Sequence, residues 1–487
     1  MIERVLFIKG VGTPIFIITF SLSIGLLYVF IPWYFVAITL FYFMIVLITA
    51  VRLEWGLFLL IILVPIDSRC ANFIITSDWN FFVGSDKQIN RIPMVFPAIL
   101  FFFFVFVIYK LSRIKDVFPK DPLHISLWVL ASYALLSLFW APVIEHSLFQ
   151  LSFLLSNIFL YVLCINIIDD QKTHYRVMWV WVLYGAFLGV ISFGFYFVDP
   201  FWFRFPLLKE FTFNIFIPGG SLTEDGLIKR GSALTTPHET ALIMNLVLCV
   251  AVGLLMIEKT RIKKICLSII IFLCMATAHM TMTRGAFGAL LVEVFFLLLA
   301  LKKLRDFFFS CSFFFIAGII ALYVMEWYIV ATYVVEDYLP RFIGKAQGME
   351  GKIPIPTRME IWTVGFKGLK DSSLLGVGVG NFKYHATAPH AHSIPFSFLF
   401  DFGLIGLGVF ASWVWVGLSR VLRLGSLFHQ DSYPGIMSVA LCGGCVALGI
   451  HGLVDFEYNK PILWLFLGMT MATFNLAGNS GHMENHE

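Results

Sequence analysis

Long apolar runs alternate with short polar segments along almost the whole chain. Most runs have about the 20 residues that an α-helix needs to cross a bilayer. They lie at 13–33, 35–51, 94–110, 124–141, 148–168, 176–197, 239–257, 264–281, 285–301, 308–333, 394–418, 434–453 and 461–477. A shorter run at 54–66 is either a further span or a re-entrant segment. The pattern predicts an all-α, polytopic integral membrane protein of about 12–14 transmembrane helices, with 1–487 forming a single membrane domain.

The composition agrees with a membrane protein. Of the 487 residues, 59% are hydrophobic and 13% are charged, and the mean hydropathy is +0.88. Soluble domains carry about 25% charged residues. The net charge of +4 is small and reflects membrane topology, so it gives no indication of a nucleic-acid partner. Seven of the eight cysteines lie in apolar runs, which favours small core residues over a disulfide framework.

Lysines and arginines in the short loops predict the orientation of the spans. They cluster within 110–120, 259–264, 302–305 and 420–423, which all lie on one side if the spans are counted as above. The positive-inside rule makes that side cytoplasmic, together with both termini. The complementary loops then face outward; they are 67–93, 198–238, the turn at 283–284, a long loop at 334–393, and 454–460.

The densest polar sequence spans the end of the long outer loop and the helix after it, at 357–406. Ser393 and Pro395 predict the start of a helix that continues to about Leu418 and is long enough to cross the bilayer. His390 and His392 then lie at the helix end that attracts anions. Because an imidazole changes charge near neutral pH, His392 is the best candidate base.

Three arginines are predicted on the same outer side. Arg284, in MTMTRGAFGALL, is either an interfacial anchor or a fixed cation for a phosphate, whose oxygens match the forked guanidinium donors. Arg358 lies four residues before Trp362, on one face if this segment is helical. Arg230 precedes TTPHETA, in which Thr236 and Glu239 are explained by helix capping.

Capping does not explain Arg230 or His238, which are therefore candidates for substrate contact. Asp401 lies within the predicted helix after His392, where an ionisable group is costly and is either functional or paired. His451 and Asp455 are four residues apart and are predicted to form a hydrogen-bonded pair facing the same cavity.

The alternating glycines of LLGVGVGNF predict a tight turn close to a neighbouring helix. They do not indicate a phosphate-binding loop, because no strand pattern precedes them and no GK[ST] follows.

The chain also has no HExxH and no paired Cys/His zinc spacing. Outward arginines with a histidine indicate that a phosphorylated substrate is held by fixed positive charge. No nucleotide is supplied outside the cytoplasm, so a lipid-linked pyrophosphate sugar is the natural substrate of this kind.

These motifs together resemble those of the O-antigen ligase/O-antigen polymerase superfamily. TRGAFGALL is similar to its SRG-type motif, and the signature region is matched by Arg358 with Trp362, LLGVGVGNF and HAHS. RGSALTTPHETA and HGLVDF resemble its upstream and C-terminal segments, so the resemblance covers roughly 225–475. The chain departs from the family pattern at four positions, with His238 for Asn, Thr283 for Ser, Ser393 for Asn and Asp401 for Glu.

The resemblance implies a metal-independent glycosyltransferase at the outer face of the bacterial inner membrane, without a cofactor. The donor would be an undecaprenyl-pyrophosphate-linked glycan, and the acceptor a hydroxyl of another glycan or of lipid A core. His392 would deprotonate or orient that hydroxyl, and transfer would invert the anomeric carbon. The arginines would hold the pyrophosphate, and Asp401 would tune the site indirectly. The site assignment is catalytic for His392 and Arg284, and substrate-binding for Arg230, Arg358, His238, His390, Asp401 and Asp455.

Three alternatives to a polysaccharide ligase or polymerase remain at this stage. A protein O-glycosylating enzyme of the same family would share these motifs. A flippase for lipid-linked oligosaccharides would also use intramembrane charges, although transporters usually show two repeated halves and none is visible here. A non-catalytic partner in polysaccharide export would not need a histidine and several arginines in outward loops.

Overall fold

The computed structural model describes eighteen stretches of the chain. They are residues 44–45, 47–49, 52–65, 72–74, 91–93, 95–112, 122–197, 205–206, 212–213, 219–223, 226–230, 235–281, 283–301, 358–369, 374–385, 391–423, 432–455 and 458–484. Helices dominate these residues, and three small two-stranded hairpins are added to them.

The helices are numbered in chain order. They are α1 (Leu53–Leu63), α2 (Val95–Ser112), α3 (Pro122–Leu136), α4 (Ile144–Ile167), α5 (Gln171–Phe197), α6 (Pro237–Ile257), α7 (Arg261–Met280), α8 (Arg284–Ala300), α9 (Arg358–Gly368), α10 (Phe382–His385), α11 (Ile394–Arg423), α12 (Tyr433–Val454) and α13 (Pro461–Glu484). A 3₁₀ turn at Ser137–Phe139 follows α3.

The strands form three antiparallel pairs. They are β1 (Asn72–Ile74) with β2 (Arg91–Pro93), β3 (Phe205–Pro206) with β4 (Thr212–Phe213), and β5 (Gly219–Thr223) with β6 (Gly226–Arg230). All three pairs lie in segments that the sequence predicts to be loops, at 67–93 and 198–238. These hairpins leave the architecture all-α, as predicted.

Seven of the described helices are long and apolar enough to cross a membrane, namely α4, α5, α6, α7, α11, α12 and α13. Shorter apolar helices lie at Leu53–Leu63, Ala98–Lys110, His124–Phe139 and Gly285–Ala300. These findings confirm a polytopic membrane protein. The predicted spans at 13–33 and 308–333, and most of 35–51, lie outside the described residues, so the count of 12–14 stays a prediction.

Helix α6 is the centre of the described bundle. All its residues from Glu239 to Leu255 are buried, and it packs against α5, α7, α8 and α12. A helix that is apolar on every side is expected in such a position. Cβ atoms added at Gly253 and Gly444 would touch Ala440 and Cys249, respectively, so α6 and α12 run antiparallel. The first residues of α6 and the last residues of α12 therefore lie at the same end of the bundle, called here the site end.

Helix α11 begins at Ile394 and continues past Leu418 as predicted, but the sequence did not predict the break inside it. Gly403 has non-helical dihedral angles, with φ 65° and ψ −160°, so the helix is broken there. The carbonyls of Phe400 and Asp401 instead accept hydrogen bonds from the amides of Val377 and Gly378, both at 2.9 Å. Unpaired backbone groups are very costly in a membrane, and here the LLGVGVGNF segment satisfies them.

The segment 374–382, called here the glycine loop, is the tight turn that the sequence predicts. Gly376 has φ 74°, and a Cβ on it would lie 2.5 Å from the carbonyl oxygen of Asp401. A Cβ on Gly403 would lie 2.6 Å from the amide nitrogen of Gly376. Two backbones can cross this closely, with positive φ on both sides, only where both residues are glycine.

The glycine loop is also fixed to the first half of the chain. Ser147 donates its hydroxyl to the Val379 carbonyl at 3.0 Å, and the Val379 amide donates to the Ser137 hydroxyl at 3.1 Å. Nε2 of His146 lies 2.9 Å from the Gly380 carbonyl oxygen, and the Asn381 side chain donates to the Ser147 hydroxyl. The sequence of this half predicts only membrane spans and does not reveal that it supports the region carrying the motifs.

Candidate functional site

One carboxylate, Asp455, gathers four basic side chains at the site end. Its Oδ1 lies 3.4 Å from Nη2 of Arg358 and 3.6 Å from Nδ1 of His392. Its Oδ2 contacts Nδ1 of His238 and lies 3.5 Å from Nε2 of His451. These five residues, called here the Asp455 cluster, come from α6, α9, the segment before α11, and α12 with the residue after it.

The cluster has a buried centre and an accessible rim. The His451 side chain is fully buried and that of Asp455 is 4% exposed, whereas Arg358, His238 and His392 keep 44%, 39% and 32% of their side chains exposed. Burial opposes ionisation of Asp455, but its contacts with the three histidines outweigh burial and hold its pKa well below the usual range. Asp455 is therefore an anion at any physiological pH.

The start of α6 positions His238. Thr236 is the N-cap, its hydroxyl accepts from the Glu239 amide at 3.3 Å, and Pro237 occupies the first helical position. This part of the capping prediction is confirmed. The Glu239 carboxylate, however, does more than cap: it pairs with Lys460 at 2.5 Å and accepts from the Thr235 hydroxyl at 2.6 Å. The segment after Asp455 is thereby tied to the start of α6.

Helix α9 positions His392 and supplies Arg358. The segment is helical, so Arg358 and Trp362 share a face, as the spacing predicts. The indole N–H of Trp362 donates to the carbonyl of Ala391 at 2.8 Å, directly before His392. His392 itself has φ 51°, a left-handed conformation that is uncommon for a residue with a side chain. Such a conformation persists only where the surroundings hold it in place.

Replacing Trp362 with phenylalanine is expected to lower kcat of the reaction at this site by roughly 3- to 10-fold, with little change in KM. The variant keeps an aromatic ring beside Phe396 but loses the hydrogen bond to Ala391, worth about 1 kcal/mol. Trp179→Phe is the control, because its indole N–H has no hydrogen-bond partner among the described residues. Steady-state kinetics with matched thermal unfolding curves would check this, and an unchanged kcat would contradict it.

Asp401 is paired with groups of the protein. The sequence left two alternatives for this residue, functional or paired. Its carboxylate accepts from the Tyr458 hydroxyl at 2.6 Å and from the Phe382 amide at 3.3 Å. The Tyr458 carbonyl in turn accepts from the Trp464 indole at 2.5 Å. Asp401 thus connects the glycine loop to the segment that follows Asp455. These contacts give it a positioning role, and the sequence signal that was missed is Tyr458, three residues after Asp455.

The remaining predicted site residues are Arg284, Arg230 and His390, and the structure relates only the first of them to the cluster. Arg284 is the first residue of α8, and a Cβ on the neighbouring Gly285 would lie 2.8 Å from Val454 and 3.7 Å from His451. The start of α8 therefore approaches the side chains of Val454 and His451, next to Asp455. Arg230 is the last residue of β6, where it is paired with Gly219, and His390 lies outside the described residues.

Part of the cluster also has the composition of a metal site. The ligand atoms of His238, His451 and Asp455 all lie within 4.8 Å of one another. The sequence shows no metal-ligand spacing here, because the three ligands are not close together in the chain. Five described helices, α7 to α11, lie between the helix of His238 and the helix of His451, and the antiparallel packing of α6 and α12 brings the ligands together.

The bundle and its cluster define a multi-pass membrane protein with a histidine- and arginine-rich site at one end of its helices. Within it, residues 267–411 match the family model of O-antigen ligase, a range that includes α8, α9, the glycine loop and His392. The match confirms the predicted relationship to the O-antigen ligase/polymerase family, and it supports a ligase- or polymerase-type function in general. No curated protein matches the chain.

Proposed function

We propose that the chain transfers or polymerises glycan from an undecaprenyl-pyrophosphate-linked donor onto a sugar hydroxyl, at the outer face of the inner membrane. One observation supports the proposal most directly: His392, Arg358 and Asp455 meet at the ends of helices, and the first two lie within the residues that match O-antigen ligase. The positive-inside pattern of the loops supports an outward-facing cluster with both termini in the cytoplasm.

His392 is the proposed general base. Its Nδ1 faces the Asp455 carboxylate, so the neutral ring carries its proton on Nδ1 and the lone pair on Nε2. Nε2 accepts the proton of the acceptor hydroxyl as its oxygen attacks the anomeric carbon from the face opposite the pyrophosphate. The bond from that carbon to the pyrophosphate oxygen breaks, its electron pair leaves with the pyrophosphate, and the configuration inverts. His392 then releases the proton to water.

Fixed positive charge stabilises the leaving group in this proposal. A guanidinium has five N–H donors, so Arg358 can contact Asp455 and still offer donors to phosphate oxygens. The start of α8 approaches the cluster, and a helix N-terminus favours anions. Arg284, at that start, and Arg230 complete the proposed pyrophosphate site. Positive charge that is already in position where negative charge develops in the transition state contributes strongly to catalysis.

An apolar cavity of about 610 Å³ supports a lipid-linked donor. It lies between α11, α12 and α13, and its lining includes Ile394, Gly452 and Tyr458. These three residues are close neighbours in the chain of His392, His451 and Asp455. A polyprenyl chain in this cavity would therefore have its pyrophosphate near the cluster.

Replacing Gly449 with leucine is expected to raise KM for the long-chain donor by about tenfold, equivalent to about 1.4 kcal/mol of binding. Gly449 lines the cavity, and a Cβ there would meet nothing within 4 Å, so leucine occupies space without disturbing the helix. Gly288→Leu is the matched control, because Gly288 also has open space around it but does not line the cavity. Equal KM values for both variants would argue against a lipid in this cavity.

The proposal is tested with the purified full-length chain in liposomes, supplied with an undecaprenyl-pyrophosphate glycan and candidate acceptors, with and without EDTA. Release of undecaprenyl pyrophosphate with a lengthened or newly attached glycan is expected, and EDTA should not lower the rate. The acceptor used would separate ligase, polymerase and protein O-glycosylation. Movement of the donor across the vesicles without transfer would overturn the proposal in favour of a flippase.

A further inference from the structure

We infer that His238, His451 and Asp455 bind one divalent transition-metal ion, and that a bound ion inhibits the enzyme. The two oxygens of Asp455 are divided between two sets of partners. Oδ1 faces Arg358 and His392, whereas Oδ2 faces His238 and His451. An ion held at Oδ2 therefore uses the side of the carboxylate that the proposed reaction does not.

The ligand set suits Zn²⁺, Co²⁺ or Ni²⁺. Two imidazoles and one carboxylate are typical transition-metal ligands, whereas Mg²⁺ and Ca²⁺ prefer oxygen alone. Ligand atoms at about 2.1 Å from a tetrahedral ion are about 3.4 Å apart, and Nε2 of His451 lies 3.5 Å from Oδ2. Nδ1 of His238 lies too close to Oδ2 and must move outward, which its 39% exposure permits.

The accessible side of the site is formed by His238. Because His451 and Asp455 are buried, an ion reaches them past this half-exposed imidazole and keeps an open position for water there. All three ligands lie outside residues 267–411, so the metal site is not part of the range that matches O-antigen ligase.

Inhibition follows from the shared carboxylate. An ion on Oδ2 withdraws negative charge from Asp455, so the carboxylate holds the Nδ1–H of His392 less strongly. The ion also adds positive charge near the base, which opposes transfer of a proton to His392. This second part of the inference rests on the proposed function, whereas binding of the ion does not.

Binding is tested by titrating the purified, metal-stripped full-length chain with Co²⁺ and recording its visible spectrum. We expect one ion per chain, with the weak bands of nitrogen and oxygen ligands and no thiolate charge-transfer band. This spectrum distinguishes the site from the free cysteines. His238→Asn should weaken binding at least tenfold, and His385→Asn, at an exposed histidine of α10, should leave it unchanged. No binding by the natural chain, a thiolate spectrum, or equal affinity of His238→Asn would each overturn the inference.

Inhibition is tested by adding Zn²⁺ to the transfer assay. The rate of the natural chain should fall, and the ratio of rates with and without Zn²⁺ should return towards one in His238→Asn. Acceleration by Zn²⁺, or equal inhibition of both proteins, would overturn the inhibitory role. If no acceptor supports transfer while Co²⁺ binds as expected, the proposed function fails and the metal site stands.

Discussion

Replacing His392 with glutamine is expected to lower kcat of glycan transfer by about 100- to 10,000-fold, the usual contribution of a general base. Glutamine keeps a polar side chain of similar length that can still donate to Oδ1 of Asp455. It cannot accept a proton from the acceptor hydroxyl. The backbone of residue 392 should stay in place, because Trp362 holds the carbonyl of Ala391 independently of the imidazole.

The measurement is a single-turnover transfer rate in liposomes, which separates chemistry from donor binding. His385→Gln serves as the control, since His385 is an exposed histidine next to the glycine loop. Donor binding and thermal stability of His392→Gln should match those of the natural chain. Full transfer by the glutamine variant would remove His392 from the mechanism and leave the cluster with a binding role.

The membrane helices could be predicted from the sequence because each depends on a local property. An apolar run of sufficient length must be helical in a bilayer, since only internal hydrogen bonds can satisfy its backbone there. The starts of α6 and α11 were equally local, fixed by Thr236 with Pro237 and by Ser393 with Pro395. The break at Gly403 was not predictable in this way, because it depends on the glycine loop supplying partners to Phe400 and Asp401.

The candidate site was predictable only in part, for the same reason. His451 and Asp455 could be paired from their helical spacing, and the structure confirms that contact. That His238 and Arg358 contact the same carboxylate depends on the tertiary arrangement of the helices that carry them, which no local pattern encodes. The substrate roles assigned to these residues stay predictions, as do those of Arg284 and Arg230.

The contribution of the first half of the chain was missed because its polar residues are scattered at helix ends. His146 and Ser147 lie in the first turn of α4, where polar residues are usual because this turn is at the membrane interface. Their structural role is visible only through the glycine loop, because they contact the carbonyls of Gly380 and Val379. The motifs of the candidate site are thus concentrated in the second half, but their geometry depends on both halves.

Replacing Asp455 with asparagine is expected to lower kcat by on the order of 100-fold or more, as when a histidine loses the carboxylate that fixes its tautomer. Asparagine preserves the shape of the side chain but removes the charge that faces Arg358 and three histidines. Its amide can also donate to Nδ1 of His392, which would move the ring proton to Nε2 and remove the base. KM for the donor should change less than kcat, since Arg358 remains available to phosphate.

The same substitution should destabilise the fold at both pH 6 and pH 8. The pKa of Asp455 is lowered in the folded chain, so its stabilising contribution is complete above the unfolded value of about 3.9 and is lost only as the pH falls below it. Thermal unfolding of both proteins at the two pH values would check this. A stability difference that disappears at pH 6 would contradict an anionic Asp455.

A double variant decides whether Asp455 acts through His392. If the carboxylate serves mainly to orient the base, then Asp455→Asn combined with His392→Gln should transfer glycan about as slowly as His392→Gln alone, because residues that act as a unit are not additive. If the two losses multiply instead, Asp455 contributes separately, through Arg358 and the leaving pyrophosphate. Under either result Asp455 contributes to catalysis, but only the first result shows that it acts through His392.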